Sequence, residues 1–363
     1  MSKTLIVSTS SVDDELRGAT IRLKTLNRYF NIGEKYIYVP TFFKKGYFIK
    51  DQINVQFFPL TIIDLIKIPF LLIKGLPLSN VIFRRTKIKN NLHIFDNVVF
   101  HLIRTIQDYS CPQNITIDVC ESLSKNFHLR SENMKRNSLK RMLFLYESKR
   151  LKKFEKEICS SNIEKKLFIS DKDHLIKTCT NYEILPNMPT FNMEPNISNN
   201  LDYKKTVFIG HVDYEPNLTS IKNTSIILNE IDSSLKLHVV GRYNKNSKDL
   251  LSSCKNIILH GFIDEIDDIF ENAVCGFAII KNCTGMQNKV LDYFSYSLPS
   301  IVSKEVQDGL PETSPALVCD TKEQVKDALN ALTKLNEREN LIRQGHNYLK
   351  KIEESFVNKR NQT

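Results

Sequence analysis

Apolar residues fall along this chain in short runs that alternate with helical spacings. Thr4-Leu5-Ile6-Val7-Ser8 reads as a buried strand, SSVDDELRGA as a polar loop and ATIRLKTLNRYF as a helix. Tyr36–Val39 gives the next strand, ITIDVCE another, and Leu167–Ser170 one more, ending in a helix start, Ser-Asp-Lys-Asp. The pattern recurs in the second half. There the runs Thr206–Ile209, Leu235–Val240, Asn256–Leu259, Gly276–Ile280, Ser300–Val302 and Ala316–Cys319 predict strands, with helices in most of the gaps. Such alternation predicts an α/β protein with parallel sheets. The stretch between Leu185 and Lys205 has three prolines, many asparagines and no periodicity, so it reads as a linker. The expected organisation is 1–186 as one doubly wound domain, 187–205 as linker, 206–345 as a second, and 346–363 as a helix crossing back to the first, with a cleft between the two sheets.

Two segments stand out from the alternation. Residues 57–78 form the most apolar window, interrupted by Asp64, Lys67, Lys74 and three prolines. A spanning helix needs about 20 mostly apolar residues, so this window is expected to pack within the fold, with a helix on a bilayer surface as the alternative. Lys135–Glu157 reads as a long basic helix whose apolar face would come from Leu139, Met142, Leu143, Tyr146, Leu151 and Phe154.

Composition adds the compartment and the charge. The 363 residues include eight scattered cysteines, with no CxxC pair and no Cys/His cluster at metal spacing. MSKTLIVSTSS is not a secretory signal. Both features point to a reducing cytoplasm with free thiols. The net charge of +10 is uneven: residues 1–190 carry 31 Lys and Arg against 18 Asp and Glu, a net of +13, and the remainder carries 20 against 23. A basic half faces something anionic, and nucleic acid, an acidic membrane or a phosphorylated substrate all qualify. The plain alternative is a solvated surface.

Candidate chemistry is concentrated in NCTGMQNKVLDYFSYSLP, residues 282–299. At about 100° per residue from Asp292, Lys289 falls at about 60°, Asn288 at about −40° and Gly285 at about 20°, with Val290, Phe294 and Leu298 opposite. A helix start with glycine before it binds anions, and Lys289 adds a full charge. Asp292, one turn on, is placed to accept from a ribose diol. The alternative is a surface Lys–Asp pair. The flanking strands favour the nucleotide, since this is the βαβ setting in which a helix N-terminus holds phosphate.

These residues resemble a known family. GxxNKxLDYxxxxLPxI, followed by Asp308-Gly309-Leu310, is similar to the donor-site motif of nucleotide-sugar glycosyltransferases of the two-Rossmann-domain type (GT-B), in the large retaining group often called family four or group 1, which serves polysaccharide and lipopolysaccharide synthesis. Phe208–Asn217, Leu237–Arg242 and His260–Asp264 resemble further motifs of the same domain, in order and spacing. In the first half, Arg17–Arg22, Phe100–Arg104, Ile117–Ser124 and Leu185–Asn187 match more loosely. The resemblance implies that Lys289, with the backbone near Gly285 and Met286, holds the donor diphosphate and that Asp292 binds the ribose. Gly210 and His211 belong to the first donor loop, Arg242 meets phosphate or base, and Phe262 and Ile263 flank the base. Gly18 would let the acceptor-side loop approach the donor sugar. Thr284 stands where many members have an acidic residue, Asp292 where a glutamate is usual, and no Arg or Lys follows His211 until Lys222.

Of the remaining polar residues, His101 is the candidate for orienting hydroxyls or relaying a proton, with packing as its alternative. Asp118 and Glu121, at the end of ITIDVCE, would point into the cleft, or cap a helix or pair with an arginine. Arg104 would contact an acceptor phosphate or lie on the surface. No cofactor is expected beyond the nucleotide-diphosphate sugar as substrate, and no metal, since Asp13-Asp14 and Asp267-Asp268 read as a loop and a helix surface. The partners implied are that donor, a glycan or lipid-linked glycan acceptor, and an anionic membrane surface at the inner face of the plasma membrane; nucleic acid is not among them. A nucleotide-sugar epimerase and a non-catalytic scaffold are the rival readings.

Overall fold

The computed structural model describes residues 2–361 apart from 13–17, 31–32, 109–113, 133, 135, 189–194, 198–200, 264–265, 282 and 284. The chain divides into two compact units, residues 1–187 with 358–363, and residues 188–357.

The first unit holds strands β1 (Lys3–Val7), β2 (Glu34–Thr41), β3 (Gly46–Lys50), β4 (Ile53–Pro59), β5 (Asn97–His101), β6 (Asn114–Cys120), β7 (Lys165–Phe168) and β8 (Tyr182–Ile184). They form one sheet in the order β3-β4-β2-β1-β5-β6-β7-β8, parallel except for β3. Its helices are α1 (Gly18–Tyr29), α2 (Ile62–Ile73), α3 (Leu78–Val81), α4 (Thr86–Asn91), α5 (Leu123–Glu132) and α6 (Leu139–Cys159). Leu5, Val7, Val98, Phe100, Ile117 and Phe168 lie in its core, which is why these strands read as unbroken apolar runs.

The second unit holds β9 (Asp202–Ile209), β10 (Lys236–Val240), β11 (Ile257–Gly261), β12 (Ala273–Ala278), β13 (Ser300–Val302) and β14 (Leu317–Val318), all parallel, in the order β11-β10-β9-β12-β13-β14. Its helices are α7 (Glu215–Ile231), α8 (Lys245–Leu251), α9 (Asp267–Phe270), α10 (Asn288–Ser295), α11 (Lys304–Gly309), α12 (Lys322–Leu332) and α13 (Leu335–Arg360). β9 begins inside the stretch expected to be linker. The C-terminal helix expected from 346 is the end of one 26-residue helix that starts at Leu335, and its last residues belong to the first unit.

Two expectations need correction. The apolar window 57–78 is the end of β4 followed by α2, and α2 does not pack inside: Ile62, Ile63, Ile66, Phe70 and Ile73 are exposed, and Asp64 is the one buried residue of that helix. Asp64 closes a capping box with Thr61 and also accepts from the backbone N and Oγ1 of Thr86, each at 2.8 Å. Polar bonds from Asp64 therefore seat that helix, with only the half-buried Ile68, Leu71 and Leu72 adding apolar contact. In α6, Leu151 and Phe154 are buried as expected, but Leu139, Met142, Leu143 and Tyr146 are exposed, while Glu147 and Glu155 are buried. Those two carboxylates accept from backbone N–H groups at the starts of α3 and α5.

Candidate functional site

In the second unit the chain leaves β9 toward β10 and β11 on one side and crosses to β12 on the other. This reversal opens a crevice beyond the carboxyl ends of β9 and β12, where such sheets take their ligands. The strand ends there are held close. Gly210 N donates to Val240 O at 3.0 Å and Gly241 N to Gly261 O at 2.8 Å. Both glycines have positive φ, 144° and 149°. A Cβ on Gly241 would stand 1.9 Å from Gly210 O, so no side chain fits.

Helix α10 closes the other side. Val290, Leu291, Tyr293 and Phe294 are buried, and the Tyr293 hydroxyl accepts from Ile209 N at 3.1 Å while donating to Phe277 O at 2.9 Å. One phenol thus bridges β9 and β12. The helix begins at Asn288, with Gln287 as N-cap. Gly285 therefore precedes it, rather than continuing its polar stripe, and Lys289 sits in its first turn. A Cβ on Gly309 would stand 2.4 Å from Gly285 O, so the end of α11 packs directly on the entering loop.

Lys289 is the centre of the site. Its side chain is only 8% exposed, donates to Asn217 Oδ1 at 2.9 Å and lies 4.0 Å from the centroid of the Phe208 ring. Its Nζ is 3.3 Å from where a Cβ on Gly210 would be. Asn217 in turn donates to His211 O at 2.9 Å. Burial lowers the Lys289 ammonium to about 7, with Cys283 and Asp292 acting the other way. Burial likewise raises the Asp292 carboxyl to about 7, opposed by Lys289. The result is a buried amine, partly charged at neutral pH, at a helix N-terminus, held by a neutral amide and with no salt bridge among the described residues. An arriving anion would restore its full charge.

The other expected donor residues lie along the same strand ends. Arg242 follows Gly241 and stacks 5.0 Å from the ring centroid of Phe262, which follows β11 and is exposed. Ile263 is half-buried beside it, His211 is exposed after Gly210, and Met286 is buried in the loop before α10. Thr284 lies outside the described residues. Phe208, Asn217 and Tyr293 were not singled out from the sequence. Asn217 lies in the quoted first donor loop, but nothing in its spacing marks it as the partner of Lys289.

In the first unit the chain reverses direction between β1 and β5, and a polar cluster occupies those strand ends. Ser8 Oγ lies 2.8 Å from His101 Nδ1, and Ser10 N donates to Ser8 Oγ at 3.1 Å. His101 Nε2 is 4.0 Å from Asp118 Oδ2 and has no hydrogen-bond partner among the described residues. Arg22 grips Asp118 through Nε at 3.0 Å and Nη2 at 2.6 Å, and its Nη1 donates to Leu185 O and Asn187 Oδ1.

Asp118 is thus not a carboxylate projecting into a cleft. It is fully buried as the partner of Arg22. His101 is buried as well, and burial, with Arg22 and Arg104 nearby, lowers it to about 3, so it is neutral at physiological pH. Glu121 follows β6 rather than ending it, half-buried, and its charge acts on the nearby Arg104. A Cβ on Gly18, the first residue of α1, would meet nothing within 4 Å. Ser8 and Arg22 complete the cluster. Arg22 is the last residue of the Arg17–Arg22 motif, and its acidic partner is not deducible from spacing.

Residues 203–337 match the family described as glycosyl transferases group 1. No curated protein matches in sequence. Among solved structures, a trehalose-6-phosphate synthase aligns with a TM-score of 0.67 at 11% identity, covering 100% of this chain and 99% of that one. The enzyme of that name from Burkholderia multivorans gives 0.61 at 10% identity, covering 100% and 97%. Anabaena HepE gives 0.62 at 10% identity, with both chains covered fully. The fold is that of GT-B glycosyltransferase structures, and the unit that builds the Lys289 pocket is the part of the chain that matches the group 1 domain.

Proposed function

We propose that the protein is a glycosyltransferase. It moves a hexosyl group from a nucleoside-diphosphate sugar to a glycan or lipid-linked glycan in bacterial surface polysaccharide assembly, with retention of configuration and without a metal ion. The observation that carries this reading is Lys289, buried at the start of α10 against Gly210 with Asp292 one turn later. A diphosphate at that helix start would draw on the backbone N–H groups and the ammonium, which stabilise charge as it builds on the leaving group. Asp292 accepts from the ribose diol. Arg242 and Phe262 form a cationic and aromatic edge at the neighbouring strand ends for the base.

In this reading the uridine nucleotide is the expected carrier. The HepE protein was solved with UDP-glucose and the E. coli trehalose-6-phosphate relative with UDP-2-fluoro glucose. In the first unit Arg104 serves an anionic acceptor group. His101, neutral and anchored by Ser8, is buried with Arg22 and Asp118, so in this reading the three act as positioning residues that shape the strand ends of the acceptor unit.

Calorimetric titration with UDP and UDP-glucose tests the proposal. The wild-type chain binds, and Lys289→Ala reduces affinity at least about a hundredfold, as loss of a buried charge-assisted contact requires. A chain that binds no nucleoside diphosphate ends the proposal. UDP release that depends on a glycan acceptor separates transfer from epimerisation. Unchanged turnover in a chelator and an NMR assignment of the anomeric product test metal independence and retention.

A further inference from the structure

The first unit carries an apolar surface that its own core does not use. On α2, Ile62 is 76% and Ile73 84% exposed, and Ile63, Ile66 and Phe70 lie between them. The surface extends at both ends. Leu60 N donates to Phe42 O at 3.2 Å, which sets Phe42 and the 94% exposed Phe43 beside the start of α2. At the other end Arg150 Nη1 donates to Leu72 O and Leu76 O and stacks 4.6 Å from the Tyr146 ring, joining α2 to α6. From Tyr146 the exposed stripe continues through Leu143, Met142 and Leu139.

The charge around this surface has one sign. Residues 52–95 contain six Lys and Arg and a single acid, Asp64; residues 139–153 contain six Lys and Arg and a single acid, Glu147. Both acids are turned inward. Asp64 is spent on Thr61 and Thr86, and Glu147 accepts from Leu78 N at 3.0 Å and Ser79 N at 2.7 Å. Lys67, Lys74 and Lys140 are exposed. We infer that α2 and the adjoining stripe of α6 dock the first unit on an anionic lipid bilayer, with α2 lying in the membrane interface.

A helix with apolar residues over most of its girth and lysines at the margins suits the boundary between acyl chains and headgroups. At 12 residues α2 is about 18 Å long, against about 30 Å of hydrocarbon, so it does not cross. A second copy of this chain is disfavoured as the occupant, because two such faces would bring lysines against lysines. The inference does not depend on the nucleotide-sugar reading.

Flotation of the full chain with vesicles tests it. Vesicles of phosphatidylcholine with phosphatidylglycerol should carry the protein up the gradient, less so as salt is raised. Vesicles of phosphatidylcholine alone should carry at least about tenfold less. Lys67→Gln and Lys74→Gln each weaken binding about fivefold, and Ile66→Ser with Phe70→Ser abolishes it. These positions are exposed, and of their side chains only that of Lys67 makes a hydrogen bond among the described residues, to Thr86 Oγ1 at 3.1 Å, so the melting curve moves by no more than a few degrees and the affinity for UDP stays as in the wild type. Absence of flotation on anionic vesicles overturns the inference, as does flotation that the α2 variants leave unchanged. Dimerisation in sedimentation that Ile66→Ser with Phe70→Ser breaks up would also overturn it, assigning the face to a second copy.

Discussion

Burial leaves the Lys289 ammonium at about 7, and under the proposed function this makes nucleotide binding a titration. Below pH 7 the group is charged and a diphosphate binds without taking up a proton. Above it the free site has lost the proton, while the anion favours the charged form. Binding must then take a proton up, so affinity falls as pH rises, by up to about tenfold per pH unit until the pKa of the occupied site is reached. Asp292, also at about 7, gives the opposite limb, because its protonated form accepts less well from a ribose. Titration at roughly pH 8 in buffers of different ionisation heat should show uptake of nearly one proton; a flat affinity across this range contradicts the assignment. Lys289→Met should abolish the uptake yet leave the fold about as stable as the wild type, since burial already disfavours the ammonium and methionine fills similar space. The Arg22–Asp118 pair behaves differently, because each partner satisfies the other. Asp118→Asn should cost about 3–5 kcal/mol in urea unfolding, and Arg22→Met combined with Asp118→Leu should recover most of it. An unchanged midpoint for Asp118→Asn would mean that the carboxylate anchors nothing.

The elements of the second unit could be read from the sequence because each strand there is a short apolar run closed by a polar or glycine-bearing loop. Their ends are where the site lies, and there backbone contact matters more than side chains. Gly241→Ala would place a Cβ against Gly210 O at a φ that L-residues avoid. It should cost about 3 kcal/mol or more and loosen nucleotide binding with it. A melting temperature and affinity equal to the wild type would show that the two strand ends can separate freely. Helix α2 could not be placed in the same way. Hydropathy records that Ile62–Ile73 is apolar but not whether the apolar side chains meet a core or another apolar medium, and the residue that seats the helix is its one acid. Asp64→Ala should therefore destabilise the chain by about 1–3 kcal/mol, through the lost cap and the stranded Thr86 N–H. The exposed Ile66→Ser should change stability by no more than about 0.5 kcal/mol. That order of effects is the reverse of what a buried apolar helix would give, and urea unfolding of the two variants distinguishes them.

Across the whole molecule, legibility followed sequence separation. Lys289 and Asp292 share one helix turn, so their common placement is visible in a short motif, whereas the bond from Lys289 to Asn217, 72 residues away, is not. The partners of His101 and Asp118 come from 93 and 96 residues away, and no local pattern states which serine or arginine the sheet order will bring. Charge was legible at the coarsest level: the basic half of the sequence corresponds closely to the first unit, and Lys289 with the residues described around it belongs to the second. This separation has a thermodynamic consequence. A ligand stabilises only the states that bind it, by about 2.7 kcal/mol at a hundredfold excess over Kd. Each unit has its own sheet and core, so UDP should slow amide hydrogen exchange in β9, β12 and α10, where Tyr293 ties the elements together. Protection in β1 and β5–β7 should stay as it was. Equal slowing in both sheets would mean that the units open as one cooperative body. Slowing confined to β1, β5 and β6 would place the nucleotide in the first unit and remove Lys289 from its role.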